Sequence, residues 1–153
     1  MKKNKSTQKS DYTEKVMQKS ISIYPVLTAF IPPVIILLLH IFAMKFYFYS
    51  SIPHLDIPMH FMGGMAIAGT AILLINYVEK LKLITIKSNF IRAIILITFL
   101  STLACYWEIY EFIFDTFWGS SLQMGVFDTM KDMMIGITGG IIVIISWSFG
   151  KKR

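Results

Sequence analysis

The sequence predicts an all-α fold: a polytopic integral membrane bundle of four transmembrane helices, with both the N-terminus and the C-terminus cytoplasmic. Three observations carry this. Of the 153 residues 55% are hydrophobic, and the mean hydropathy is +0.61. The apolar residues gather into four segments of roughly twenty, each long enough as a helix to cross a hydrocarbon core of about 30 Å. Thirteen of the fifteen basic residues then fall on one side: six in the N-terminal tail, four around the second connection and three at the C-terminus, with only Lys45 and Lys131 near the other face. Such an excess marks the cytoplasmic side.

Residues 1–20 read as a basic cytoplasmic tail, residues 21–150 as one membrane domain, and residues 151–153 as a basic cytoplasmic end. A basic run before an apolar run is also the pattern of a signal peptide. No small-residue cleavage site follows it here, so the first apolar segment is expected to be retained. That helix is expected over about residues 23–44, with Pro25 near its start and a kink at Pro32 and Pro33. His40, near its far end, reads as a hydrogen-bonded structural residue. The link KFYFYSSIP, residues 45–53, carries rings suited to headgroup level.

The second helix, about residues 57–78, opens with DIPMHFMGG. Pro58 suits a first turn, and Asp56 is favoured by the exposed amides of a helix start. His60 lies one turn deeper on the same face, which continues through Gly63, Gly64, Ala68 and Ala71, a stripe that lets another helix approach. The third helix, about residues 91–113, brings Ser101 and Ala104 and then the acidic stretch YWEIYEFIFD, with Trp107 and Trp118 expected in an interfacial belt. Cys105, the single cysteine, has no intrachain mate, which excludes an intrachain disulfide and a cysteine-based zinc site; a packed membrane thiol is expected. A loop containing Gly119 and Gly125 leads to the fourth helix, about residues 129–149, which opens with Asp128, Lys131 and Asp132 and continues through Gly136 and Gly140 as a GxxxG step.

Glu108, Glu111 and Asp115 recur at steps of three and four residues, so they share one helix face. A carboxylate inside a bilayer costs at least ~2.5 kcal/mol and turns towards a partner, water or a pathway. Glu108 lies sixteen residues beyond Arg92, or about 24 Å of helix, which places it in the outer leaflet. His60, Glu111 and Asp132 are expected at comparable depth, with His40 and His54 near in level. Carboxylates confined together raise one another's affinity for protons unless a cation sits among them. A divalent Mg²⁺, Mn²⁺, Zn²⁺ or Fe²⁺ suits an oxygen-rich set with one or two imidazoles. The expected metal ligands are Asp56, His60, Glu108, Glu111, Asp128 and Asp132, and the expected catalytic residues are Glu108 and Glu111. The plainer alternatives are that Asp56 and Asp128 cap helix starts, Asp115 is solvated at the interface and Lys131 snorkels.

The function expected is that of an outward-facing acidic and histidine site that binds a divalent metal and acts on a lipid or lipid-linked headgroup. If it is an enzyme, hydrolysis follows, with metal-bound water as nucleophile and a glutamate as base. The alternatives are a proton- or ion-coupled transporter and a non-catalytic membrane scaffold, with homo-oligomers formed through the glycine faces. The basic residues are dealt out between apolar segments and form no platform for nucleic acid.

DIPMHFMGG, WEIYEF and DTMKDM, spanning Asp56 to Gly140 with the last glycines, together resemble the YjdF-type family of small bacterial inner-membrane proteins. The resemblance implies a multi-helix protein of the bacterial cytoplasmic membrane and brings no established reaction. A looser likeness, in the order of an Asp/His helix, a Glu helix and an Asp-rich helix, is to VanZ-type proteins, which are associated with resistance to lipoglycopeptide antibiotics. Glu111 stands where that pattern has glutamine, and Gly136 where it has asparagine.

Overall fold

The computed structural model describes residues 22–150, and among them there are helices and connections but no strand. The two basic ends, residues 1–20 and 151–153, lie outside the described residues. In chain order the helices are α1 (Tyr24–Ala29), α2 (Ile31–Lys45), α3 (Phe48–Ser51), α4 (Asp56–Lys80), α5 (Asn89–Trp118) and α6 (Val126–Gly150). Of these α4, α5 and α6 are each long and apolar enough to cross a membrane.

The first apolar segment is in two pieces, broken at Phe30, rather than one kinked helix over residues 23–44. The prolines explain the break. Pro32 and Pro33 have no N–H to donate one turn back, which frees the carbonyls of Thr28 and Ala29. In an apolar setting a freed carbonyl needs another donor. Thr70 on α4 supplies it, its Oγ1 lying 2.6 Å from Ala29 O. The break thereby becomes a fastening to α4, and Ala29 is fully buried there.

Helix α4 is central and touches α1, α2, α5 and α6. Its contact with α6 is made by glycine. A Cβ on Gly64 would overlap the carbonyl of Gly136, one on Gly139 would overlap the Phe61 carbonyl, and one on Gly140 would run into the Leu100 side chain. The GxxxG face of α6 is therefore used within the chain. Below this crossing Ala68, Ala71, Ile72, Leu96, Leu100 and Ile144 form the buried core.

Helix α5 starts where Ser88 Oγ accepts from Ile91 N at 3.3 Å. It runs to Trp118, past the end expected near residue 113, and stops at Gly119, whose φ of 66° suits the left-handed cap. The register sends Glu108 and Glu111 inwards. Cys105 is exposed, not packed, and shares the outward surface with Tyr106 and Ile109.

Arg92, counted above among the connection charges, turns inwards and is buried. Its Nη2 donates to Glu79 Oε1 at 2.6 Å and to Ile86 O at 3.2 Å, and its guanidinium lies 5.5 Å from the centre of the Trp147 ring. This cluster closes one end of the bundle. The start of α4, the end of α5 and the start of α6 meet at the other.

Candidate functional site

The site is assembled at that second end by His60. Its Nε2 lies 3.0 Å from Asp56 Oδ1, one turn back on α4. An ionised carboxylate only accepts, so Nε2 carries the hydrogen. In the neutral ring this leaves the Nδ1 lone pair facing Glu108 Oε1, 3.8 Å away. Glu108 is 4% exposed, and its Oε1 has no hydrogen-bond partner. Glu108 Oε1 is thus a buried carboxylate oxygen whose nearest cationic-type neighbour is His60 Nδ1.

The other Glu108 oxygen and one oxygen of Glu111 are held. Glu111 Oε1 lies 3.9 Å from His60 Nε2 and accepts from Trp107 Nε1 at 2.8 Å. Gln123 Nε2 approaches Glu108 Oε2 at 3.4 Å and Glu108 O at 3.5 Å. Gln123 is put there by Asp115, which accepts from Leu122 N at 3.0 Å and Gln123 N at 2.8 Å and also from Ser120 Oγ. Asp115, half-exposed at the end of α5, is therefore the anchor of the α5–α6 loop.

Asp132, 2% exposed, completes the cluster from α6. Lys131 Nζ lies 2.6 Å from Asp128 Oδ1, 3.3 Å from Asp132 Oδ1 and 3.8 Å from Asp56 Oδ2. The expected snorkelling lysine is instead an ammonium set among three aspartates. Asp128 also accepts from Met124 N at 3.2 Å across the start of α6.

Two sets of ligand-type atoms result, Asp56–His60–Asp132 and His60–Glu108–Glu111, each with its atoms within 4.8 Å of one another. They share His60. Five of the six sequence-expected ligands are thus brought together, and Asp128 joins them only through Lys131. His40 is 1% exposed and lies beside the cluster, its ring centre 4.9 Å from that of Trp107. Its Nδ1 is 2.7 Å from the Tyr49 hydroxyl, and burial pushes the pKa of that hydroxyl up. His54 is exposed at a φ of 61° and stays outside the cluster.

Sequence reasoning assigned Trp107 and Tyr49 to interfacial aromatic positions and passed over Gln123. Only Trp107 left a signal, standing four residues before Glu111 and so on its face. The other two reach the site from separate connections.

A family model described as predicted membrane protein (DUF2238) matches residues 16–153 of the chain. No curated protein matches it, and no solved structure does.

Proposed function

The chain belongs to that family of membrane proteins, and we propose that it holds a divalent cation among His60, Glu108 and Glu111 and acts with it on the headgroup of a lipid or lipid-linked substrate. The observation that carries this is the buried Glu108 Oε1, which has no hydrogen-bond partner and lies 3.8 Å from His60 Nδ1. Metal–ligand bonds of about 2.0–2.2 Å allow two donors on one ion to stand up to roughly 4.4 Å apart. The three aspartates already have the permanent charge of Lys131 beside them, whereas the two glutamates have only His60 within 4 Å, which favours the inner set for the ion. One imidazole and two carboxylates suit Mg²⁺, Mn²⁺, Zn²⁺ or Fe²⁺.

Asp56 then acts as the carboxylate behind a ligating histidine, fixing the ring's tautomer and tilt. Such an ion polarises a phosphoryl oxygen and acidifies water. Glu111, its tilt fixed by Trp107, would bind the ion through one oxygen and take the proton of an attacking water on the other. The reaction is then hydrolysis, with Glu108 and Glu111 as its catalytic residues.

In this reading the protein is of the YjdF type in the bacterial cytoplasmic membrane. The α1–α2 pair acts as a fourth, broken span, and the site faces outwards, because the basic ends and the connection between α4 and α5 draw the other end to the cytoplasm. The test is the metal content of the protein purified in detergent, wild type beside Glu108→Gln. Near-stoichiometric metal that disappears in a still-folded variant supports the site. No metal after supply of all four ions removes it.

The second reading is a non-catalytic scaffold, favoured by the ion pairs of Lys131 with three aspartates. It predicts that Glu108→Gln and Asp132→Asn weaken folding and change no ligand. Ion-coupled transport has less support. Beneath the cluster come Gly64, Ala68, Leu100 and Gly140, and the next buried ionisable group is Arg92 at the far end.

A further inference from the structure

We infer that the cavity beside the cluster seats a hydrocarbon chain, so that the ligand is an amphiphile with its polar head at His60 and His40 and its tail inside the bundle. The inference deepens the headgroup reading and rests on it. At the end near the cluster the cavity is lined by His40, Tyr49, His60, Trp107 and Asp132. Away from that end each helix contributes residues one and two turns further on: Gly63 and Ile67 from α4, Ala104 and Leu100 from α5, Ile36 and Pro33 from α2. From His60 to Ile67 this is seven residues, or about 10 Å along the helix axis. The cavity is thus polar at one end and apolar along its length.

A second observation points to a ligand at the polar end. His40 is 1% exposed, and its Nε2 has no hydrogen-bond partner. The Tyr49 hydroxyl bonds to Nδ1, so in either tautomer Nε2 is the ring nitrogen left without a partner. A buried ring nitrogen without a partner is costly. The phosphate, ester and hydroxyl groups at a lipid's head supply both acceptors and donors for that nitrogen at this level.

The apolar walls argue against water as the occupant. A buried water needs two to four polar partners, and Ile36, Ile67, Leu100 and Ala104 offer no side-chain donors or acceptors. An unfilled gap forfeits the dispersion contacts of its lining. In a bilayer the abundant species that satisfies both ends at once is a lipid.

The experiment uses an alkyl phosphate with a diazirine at the end of its chain, photolysed with the full chain in nanodiscs, and the labelled residues are mapped by mass spectrometry. Insertion at Ile36 and Ile67 is expected several-fold above that at Phe99 and Ile109, which face outwards. Ala104→Phe fills the cavity and is expected to reduce the inner labelling at least fivefold while leaving the outer labelling unchanged. Gly63→Ala is the milder variant, since its added Cβ meets only Ile36 Cγ2 at 3.9 Å, and it is expected to reduce inner labelling by a smaller factor. Labelling confined to outward residues, or inner labelling indifferent to both variants in folded protein, overturns the inference. Metal content is read on the same samples. Inner labelling without metal sinks the cation reading and leaves the chain seat standing; metal without inner labelling does the reverse.

Discussion

Gly64 and Gly136 meet backbone to backbone, so closely that a Cβ on Gly64 would overlap the Gly136 carbonyl. This approach sets the spacing of α4 and α6, and through it the distance from His60 and Asp56 on one helix to Asp132 and Lys131 on the other. The small-residue face and the acidic site are therefore one construction. A wider crossing would part Lys131 from Asp56, which it reaches at 3.8 Å.

Gly64→Ala is accordingly expected to destabilise the bundle by about 1–3 kcal/mol, the usual cost of forcing extra carbon into a packed contact. Gly69→Ala, on the same helix with nothing within 4 Å of its Cβ, is the control and should leave stability unchanged or slightly raised. Unfolding midpoints in one detergent compare the two. Equal behaviour would mean that α4 and α6 do not approach in this way.

Asp56→Ala should weaken cation binding about 10–100-fold without abolishing it, the effect usual for the partner behind a ligating histidine. Glu108→Gln, which removes a proposed ligand charge, should lose more. Titration of Mn²⁺ or Zn²⁺ into metal-free protein measures both. If Asp56→Ala binds as tightly as wild type, the 3.0 Å contact between His60 and Asp56 has no bearing on the ring.

What was legible beforehand was what local spacing determines. Asp56 and His60 share a face because four residues make one turn, and Gly64, Ala68 and Ala71 mark the buried stripe by their size. The contacts that finish the site join residues distant in sequence. Gln123 reaches Glu108 only because Asp115 folds the α5–α6 loop back, and Tyr49 meets His40 only because Tyr47, with a φ of 57°, turns the chain before α3. No periodicity records either. The break in the first segment was half legible: the prolines announced it, but the compensating hydroxyl of Thr70 lies 41 residues away from Ala29.

Lys131→Met should leave Asp56, Asp128 and Asp132 without their ammonium. The variant is expected to melt below wild type, and added Mg²⁺ should recover more of its melting temperature than it adds to wild type, because a second cation then has a place to bind. Melting curves over a Mg²⁺ series decide it. A variant as stable as wild type and no more responsive to Mg²⁺ would mean that the three ion pairs carry little weight at this partly exposed position.

The direction in which the site faces rests on charge alone and can be tested directly. With Cys105→Ala as background, Ser121→Cys samples the α5–α6 loop next to the cluster, and Thr85→Cys samples the connection between α4 and α5; both positions are exposed and outside helices. A membrane-impermeant maleimide added to intact cells should modify Ser121→Cys and reach Thr85→Cys only after lysis. The reverse pattern would turn the cluster to the cytoplasm against the basic residues. Since a headgroup site works on the leaflet it opens to, that result would also move the proposed substrate from outer-leaflet to inner-leaflet lipid.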